Sequence, residues 1–109
     1  MIVYCNNQVL ADNVKIADTF FSRLKGLMGK KSLADGEGLL LTRCSAIHCF
    51  FMRITIDAIY LSAQMTVLGK ETIPPWKVGK HFKKTANVLE LAAGSANVAI
   101  GDKLQIDEN

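Results

Sequence analysis

The chain has 109 residues, half of them hydrophobic, and a formal net charge of +3 at pH 7. This length predicts a single domain over residues 1–109, and a charge this small argues against nucleic acid as the partner. No segment reaches the about 18 consecutive apolar residues of a membrane-spanning helix, and residues 1–7 lack the basic and apolar regions of a signal peptide. We therefore expect a cytoplasmic protein without a membrane partner. Whether a signal peptide once preceded residue 1 stays open, as does the oligomeric state.

The first third of the chain predicts a hairpin followed by a helix. Strands at 1–5 and 8–11 flank Asn6-Asn7, two residues that tolerate the positive φ of a tight turn, and 14–16 is expected to continue the second strand. Apolar residues at helical spacing predict a helix over 18–28, with Asp18 or Thr19 as its N-cap and Gly29 as its stop. Gly26 lies inside this predicted helix, which suggests close packing at that point.

Strands are predicted over most of the remaining chain. They fall at 39–43, 54–62, 65–71, 87–92 and 103–106, and 95–100 is expected to form a short helical turn. Two prolines open a long loop over 74–85. The predicted fold is α+β: a small, mainly antiparallel β-sheet curled into a partly open barrel, with one main helix and one short helix.

Soft metal donors recur every four residues in one segment: Cys44, His48 and Met52, with Cys49 adjacent. A thiolate, an imidazole and a thioether together suit a copper-like ion. Donors four residues apart on a straight strand are separated by about 13 Å, so a bend or a helix would be needed. The alternative is that all of them are core residues. The cysteines are odd in number and are expected to be reduced, as in the cytosol.

Charged side chains in the second half of the chain are candidates for a binding site. His48 is the candidate general acid or base. Arg53 is a candidate anion clamp, with Asp57 four residues later to orient either Arg53 or His48. Glu90 lies between two leucines of a predicted inner strand and should require a partner there, for which an arginine is the natural choice. Structural ion pairs are the alternative interpretation of these charges.

The loop over 74–85 combines aromatic and basic residues. Trp76 follows the two prolines, and Phe82 stands within a cluster of cations, Lys77, Lys80, His81, Lys83 and Lys84. Such a combination is found in proteins that bind single-stranded nucleic acid, but a solvated loop face explains it more simply. The sequence lacks a glycine-rich phosphate loop, a dinucleotide fingerprint, a nucleophile elbow and paired CxxC ligands, and it indicates no particular cofactor.

The order of these motifs resembles the domain of unknown function 192 family, from about residue 23 to residue 104. The resemblance implies a compact, mainly β domain and no known activity. Residues 49 and 55 depart from the family pattern, which often has a threonine-like residue and a proline there. The residues that match the family signature are Gly26, Leu27, Met28, Cys44, His48, Phe51, Met52, Arg53, Asp57, Trp76, Glu90, Gly94 and Asp102.

Three hypotheses about function follow. The first is a binding or accessory module whose pocket takes an anionic small molecule or a partner's peptide, under a lid formed by the 74–85 loop. Its candidate ligand-binding residues are His48, Arg53, Asp57, Trp76 and Glu90. The second is a small enzyme in which His48 is the acid or base and Arg53 the anion clamp. The third is soft-metal binding by Cys44, His48 and Met52.

Overall fold

The structure, a computed structural model, describes residues 1–108. Within them the chain forms eight strands and one helix. In chain order these are β1 (Ile2–Cys5), β2 (Gln8–Ala11), β3 (Asn13–Ala17), α1 (Phe20–Lys25), β4 (Glu37–Thr42), β5 (Ile56–Leu61), β6 (Val67–Ile73), β7 (Asn87–Ala92) and β8 (Leu104–Asp107). No helix in this range is long and apolar enough to cross a membrane.

The strands form two hydrogen-bonded sheets. A three-stranded sheet has the order β2-β1-β8, and a five-stranded sheet has the order β3-β4-β7-β5-β6. The named strand pairs are antiparallel except β3 with β4, which are parallel. The prediction of a mainly antiparallel, mostly β fold is therefore confirmed.

The five-stranded sheet separates two apolar clusters. On one face, Ile59, Leu89 and Leu91 pack beneath the three-stranded sheet. On the other face, Ala58 and Tyr60 pack beneath residues of the loops that follow α1 and β4, such as Leu27, Ile47 and Met52. Because successive side chains of a strand point to opposite faces, odd and even positions of β5 and β7 enter different clusters.

The predicted single curled sheet is wrong, because the strands divide between two layers. Strands β1, β2 and β8 are only four residues long, and their inward residues, such as Val3 and Leu104, cover the larger sheet face to face. The layers join at an isolated Thr66–Lys103 bridge and at a hydrogen bond that Val14 N donates to Met1 O. Burying a whole apolar face favours this stacking.

Helix α1 is shorter than the predicted 18–28. Thr19 is its N-cap and forms a capping box with Ser22, as the sequence suggested for this position. The helix ends because Gly26 adopts φ 48° and ψ −125°, a conformation that favours glycine. Gly26, rather than Gly29, is therefore the residue that stops it.

The predicted helical turn over 95–100 is also wrong. The backbone amides of Gly94 and Ala96 donate to the Asp57 carboxylate, at 2.9 and 3.1 Å, and Ala99 N donates to the Asp102 side chain. Carboxylates that bind these amides hold the segment in an irregular conformation.

Asp57 ties this segment to the sheet. Its carboxylate is 6% exposed and accepts a third hydrogen bond, from Thr72 Oγ1, at 2.7 Å. Buried donors lose both their hydrogen bonds and their solvation when such an acceptor is removed.

We therefore expect Asp57→Ala to lower the free energy of unfolding by roughly 2–4 kcal/mol, measured by urea denaturation. Asp57→Asn should cost less, because its amide group still supplies an oxygen to the backbone donors. The control is Asp35→Ala at an exposed turn, which should change stability by less than about 0.5 kcal/mol. Equal stability of Asp57→Ala and the wild type would contradict the role of Asp57.

Candidate functional site

A cleft of about 210 Å³ lies between α1, the five-stranded sheet and the loop that follows β4. We call it the α1 cleft. Its lining is mostly apolar and consists of Phe20, Arg23, Leu24, Lys25, Gly26, Leu27, Met28, Leu41, Cys44, Ala46, Ile47, His48, Met52 and Glu90. Apolar concavities with a few polar groups are typical of small-molecule sites.

Glu90 is the acidic residue of the cleft. It pairs with Leu39 on β4 and with Ala58 on β5, so it projects from the middle of the sheet toward α1. The residue is 2% exposed, and no hydrogen-bond partner for its Oε1 is present among the described residues. The arginine partner that the sequence suggested does not bond to this oxygen. An unpaired buried polar atom costs stability and calls for an explanation.

Glu71 shows how the same sheet satisfies a carboxylate. It pairs with Ala58 from the other side, so Glu71 and Glu90 flank one alanine on the same face. Glu71 Oε2 accepts hydrogen bonds from Tyr60 Oη and Lys80 N, each at 2.6 Å. Glu90, on the same face, has no such donors at Oε1 among residues 1–108. Of the two carboxyls, Glu90 is therefore the one with an unsatisfied oxygen.

Burial governs the protonation of this region. Burial raises the pKa of Glu90 to about 8, so its carboxyl is mostly neutral at pH 7. Burial also raises the pKa of Cys49 to about 12 and, above all other causes, raises that of Cys44. Both thiols therefore stay protonated at neutral pH, a state that does not attack as a nucleophile.

The polar neighbours of Glu90 in the cleft have partners of their own. Cys44 Sγ donates to Ala46 O at 3.1 Å. His48 Nδ1 accepts from Phe50 N at 3.1 Å, which places the proton of the neutral imidazole on Nε2. Across residues 1–108, no hydrogen bond links His48 to Asp57 or Glu90.

The three soft donors that the sequence singled out share the α1 cleft. Cys44, His48 and Met52 all line it. In the described part of the chain, no three His, Cys, Asp or Glu side chains are placed to hold one ion.

Arg53 and Trp76 lie in a second, more open groove beside the α1 cleft. Its lining comprises Met28, Gly29, Phe51, Met52, Arg53 and Trp76. The rings of Phe51 and Trp76 are 4.8 Å apart and both residues have positive φ, an uncommon conformation for bulky side chains. Met28 and Met52 line both depressions, so the two adjoin each other.

The five predicted site residues thus separate into three places. His48 and Glu90 line the α1 cleft, whereas Arg53 and Trp76 line the adjoining groove. Asp57 pairs with Leu91, which belongs to the cluster on the opposite face of the sheet from Glu90. Strand alternation therefore keeps Asp57 away from the cleft.

The predicted lid over 74–85 packs against the segment before β5. Trp76 N donates to Cys49 O, Cys49 N to Lys77 O, and Gly79 N to Ile47 O. Phe82 packs on Tyr60, with ring centroids 4.6 Å apart. None of the loop residues lines the α1 cleft, whereas Trp76 lines the adjoining groove.

Sequence reasoning missed the contribution of α1. The core does not cover its apolar residues: the helix contains no buried residue, and Phe20, Phe21 and Leu24 are 67%, 78% and 48% exposed. An apolar helix face that the core leaves uncovered commonly marks a binding surface. The signal in the sequence was Gly26, where the helix ends after six residues, too few to cover the sheet.

The fold is that of a class of small, mostly β domains with two sheets, and solved structures of other proteins share it. A protein of unknown function from Novosphingobium aromaticivorans superposes with a TM-score of 0.85 over 96% of this chain and 84% of its own, at 22% identity. A putative transcription regulator from Sinorhizobium meliloti superposes with a TM-score of 0.74 over 84% of this chain and 79% of its own, at 23% identity. These similarities establish the fold alone.

The chain belongs to the domain of unknown function 192 family, described as "Uncharacterized ACR", whose model matches residues 2–106. A UPF0127 protein of Pyrococcus abyssi is 35% identical over 84% of this chain and 84% of its own length. A UPF0127 protein of Thermococcus sibiricus is 34% identical over 89% of this chain and 68% of its own length. The resemblance seen in the sequence is confirmed.

Because the Glu90 carboxyl is buried without a partner at Oε1, replacing it with an apolar side chain should stabilise the protein. We expect Glu90→Leu to raise the free energy of unfolding at pH 8 by roughly 1–3 kcal/mol, because an apolar side chain needs no partner. The matched control is Glu71→Leu, which should destabilise the protein because it leaves the Tyr60 and Lys80 donors unpaired. A loss of stability in Glu90→Leu as large as in Glu71→Leu would contradict this view of Glu90.

The same group predicts a pH dependence of stability. The folded protein keeps the Glu90 proton up to about pH 8, whereas the unfolded chain releases it near 4.5. Between these two pKa values, unfolding releases the Glu90 proton. The contribution of this group to the free energy of unfolding is therefore full below the unfolded-state pKa, declines as pH rises, and is lost at the folded-state pKa. Relative to Glu90→Gln, the wild type should therefore lose up to a few kcal/mol across this window, measured by denaturation at several pH values. A constant difference would contradict the raised pKa.

Proposed function

We propose that this protein is a binding module that holds the apolar part of a small amphipathic, anionic molecule in the α1 cleft. The observation that carries the proposal is the buried, unpartnered Oε1 of Glu90 in a mostly apolar cleft. A protein retains such an atom at a cost in stability, and a bound ligand would supply the missing partner.

The size of the cleft limits the apolar part of the ligand. Its volume is about 210 Å³, and a cavity of roughly 150 Å³ is enough for benzene. The cleft therefore suits one aromatic ring or a short aliphatic chain. The uncovered side chains of Phe20 and Leu24 at its edge add apolar contact area.

The charges around the cleft favour an anionic group on the ligand. Arg23 and Lys25 belong to its lining, and Arg53 lies in the groove that continues from it past Met28 and Met52. A ligand that extends along this path would place a carboxylate, sulfonate or phosphate near Arg53. The proposed site thus includes His48, Arg53, Trp76 and Glu90 of the expected set. The proposal also places the protein in the cytosol, which its free cysteines favour.

The proposal predicts that blocking the cleft abolishes binding of an amphipathic anion. The probe is 8-anilinonaphthalene-1-sulfonate, titrated by fluorescence against the native protein. Ala46 is exposed and lines the cleft, so Ala46→Trp should fill it and weaken the probe's affinity by about tenfold or more. Arg53→Ala should weaken it less, by removing only the charge contact.

The matched control is Ala63→Trp, at an exposed position outside the cleft lining. It introduces the same side chain and should leave the affinity unchanged. Equal affinities of both tryptophan variants and the wild type would show that the probe binds elsewhere, and the proposal would fail.

A further inference from the structure

The α1 cleft contains one buried side-chain polar atom that has no hydrogen-bond partner among the described residues. Arg23 Nη1 donates to Thr42 O, and Cys44 and His48 bond to the backbone of their own loop. Glu90 Oε1 is the buried side-chain oxygen without a partner in residues 1–108. A ligand that enters the cleft therefore meets in Glu90 a buried group whose hydrogen bonding it can complete.

The surroundings of Glu90 favour its neutral form. A carboxylate buried without a cationic partner is costly, and the usual outcome is that it keeps its proton. The raised pKa of Glu90, about 8, has burial as its cause. The titratable groups near this carboxyl come from α1, from the segment before β5, from β5 and from β6: Arg23, Lys25, Cys44, His48, Cys49, Tyr60 and Glu71.

We propose, on the basis of the function proposed above, that Glu90 is the recognition group of the cleft. As a carboxylic acid it donates a hydrogen bond to an acceptor oxygen, a carbonyl or a carboxylate, on a ring-sized apolar group. The ligand class is thus an aryl or short alkyl compound that carries an oxygen acceptor at the buried end.

A cationic ligand fits the cleft less well. An ammonium group would have to ionise Glu90 and hold an ion pair in a mostly apolar space, where desolvation offsets much of the attraction. It would also enter past Arg23 and Lys25 of the lining. An acceptor oxygen needs no change in charge, because a protonated carboxyl already provides an O–H donor.

The test uses four probes that share one ring and differ at one group: acetophenone, benzoate, benzylammonium and toluene. Each is titrated into the whole protein while backbone amide shifts are recorded by NMR, at about pH 6 and about pH 9.5, on either side of the Glu90 pKa. We expect acetophenone and benzoate to bind about threefold to tenfold more tightly than toluene at the lower pH. Tighter binding of acetophenone would identify the acceptor as a neutral carbonyl, and tighter binding of benzoate would identify it as a carboxylate.

Two variants separate the role of Glu90 from general effects of pH. In the wild type, the preference of acetophenone over toluene should fall to about unity at the higher pH, because the donor proton is lost. In Glu90→Gln, whose amide still donates and does not titrate, the preference should persist at both pH values. In Glu90→Leu it should be absent at both, although this variant should fold at least as stably as the wild type.

The possible failures are distinguishable. If toluene shifts the amides of the cleft but acetophenone and benzoate bind no more tightly, the cleft binds ligands and Glu90 does not recognise an acceptor. If benzylammonium binds most tightly, Glu90 acts as an anion and the proposal is overturned. If none of the four shifts the cleft residues, the proposed function fails together with this inference.

Discussion

The structure depends on strands β5 and β7, which lie side by side in the larger sheet and are covered on both faces. Every residue of β5 is buried, as are Val88 to Leu91 of β7. A strand with two covered faces assigns its side chains to the two sides by alternation alone. Polar residues in these strands must therefore find hydrogen-bond partners inside the protein. Residues that have such partners stabilise the fold, and a residue without one is a candidate functional residue.

Three carboxylates in the larger sheet illustrate this constraint. Asp57 faces the three-stranded sheet and is fully occupied in holding the segment after β7. Glu71 faces α1 and is bonded to Tyr60 and to the loop over 74–85. Glu90 faces the same way, and its Oε1 lacks a partner within the described chain. Bonded carboxylates stabilise the fold, whereas an unbonded one makes the cleft above it a candidate for ligand binding.

The short helix explains why there is a cleft above Glu90. Helix α1 ends at Gly26, and a Cβ at that position would lie 3.7 Å from Glu90 Oε1. The chain thus turns beside the carboxyl, and the apolar side chains of the helix surround an opening and do not fill it. A longer helix on this face would have sealed the cleft, as expected for a core that needs no ligand.

The sequence by itself determined the local elements. Asn6 and Asn7 make the first hairpin turn at positive φ, the 87–92 strand lies where predicted, and the order of motifs identified the family. Turn chemistry and apolar alternation are local signals, so they are readable without the fold. Only the tertiary structure decided that the strands form two layers, that Asp57 and Glu90 face opposite sides, and that α1 leaves a cleft uncovered. Those features depend on which strands pair and in which register, and pairing between distant segments leaves no trace in the spacing of residues along the chain.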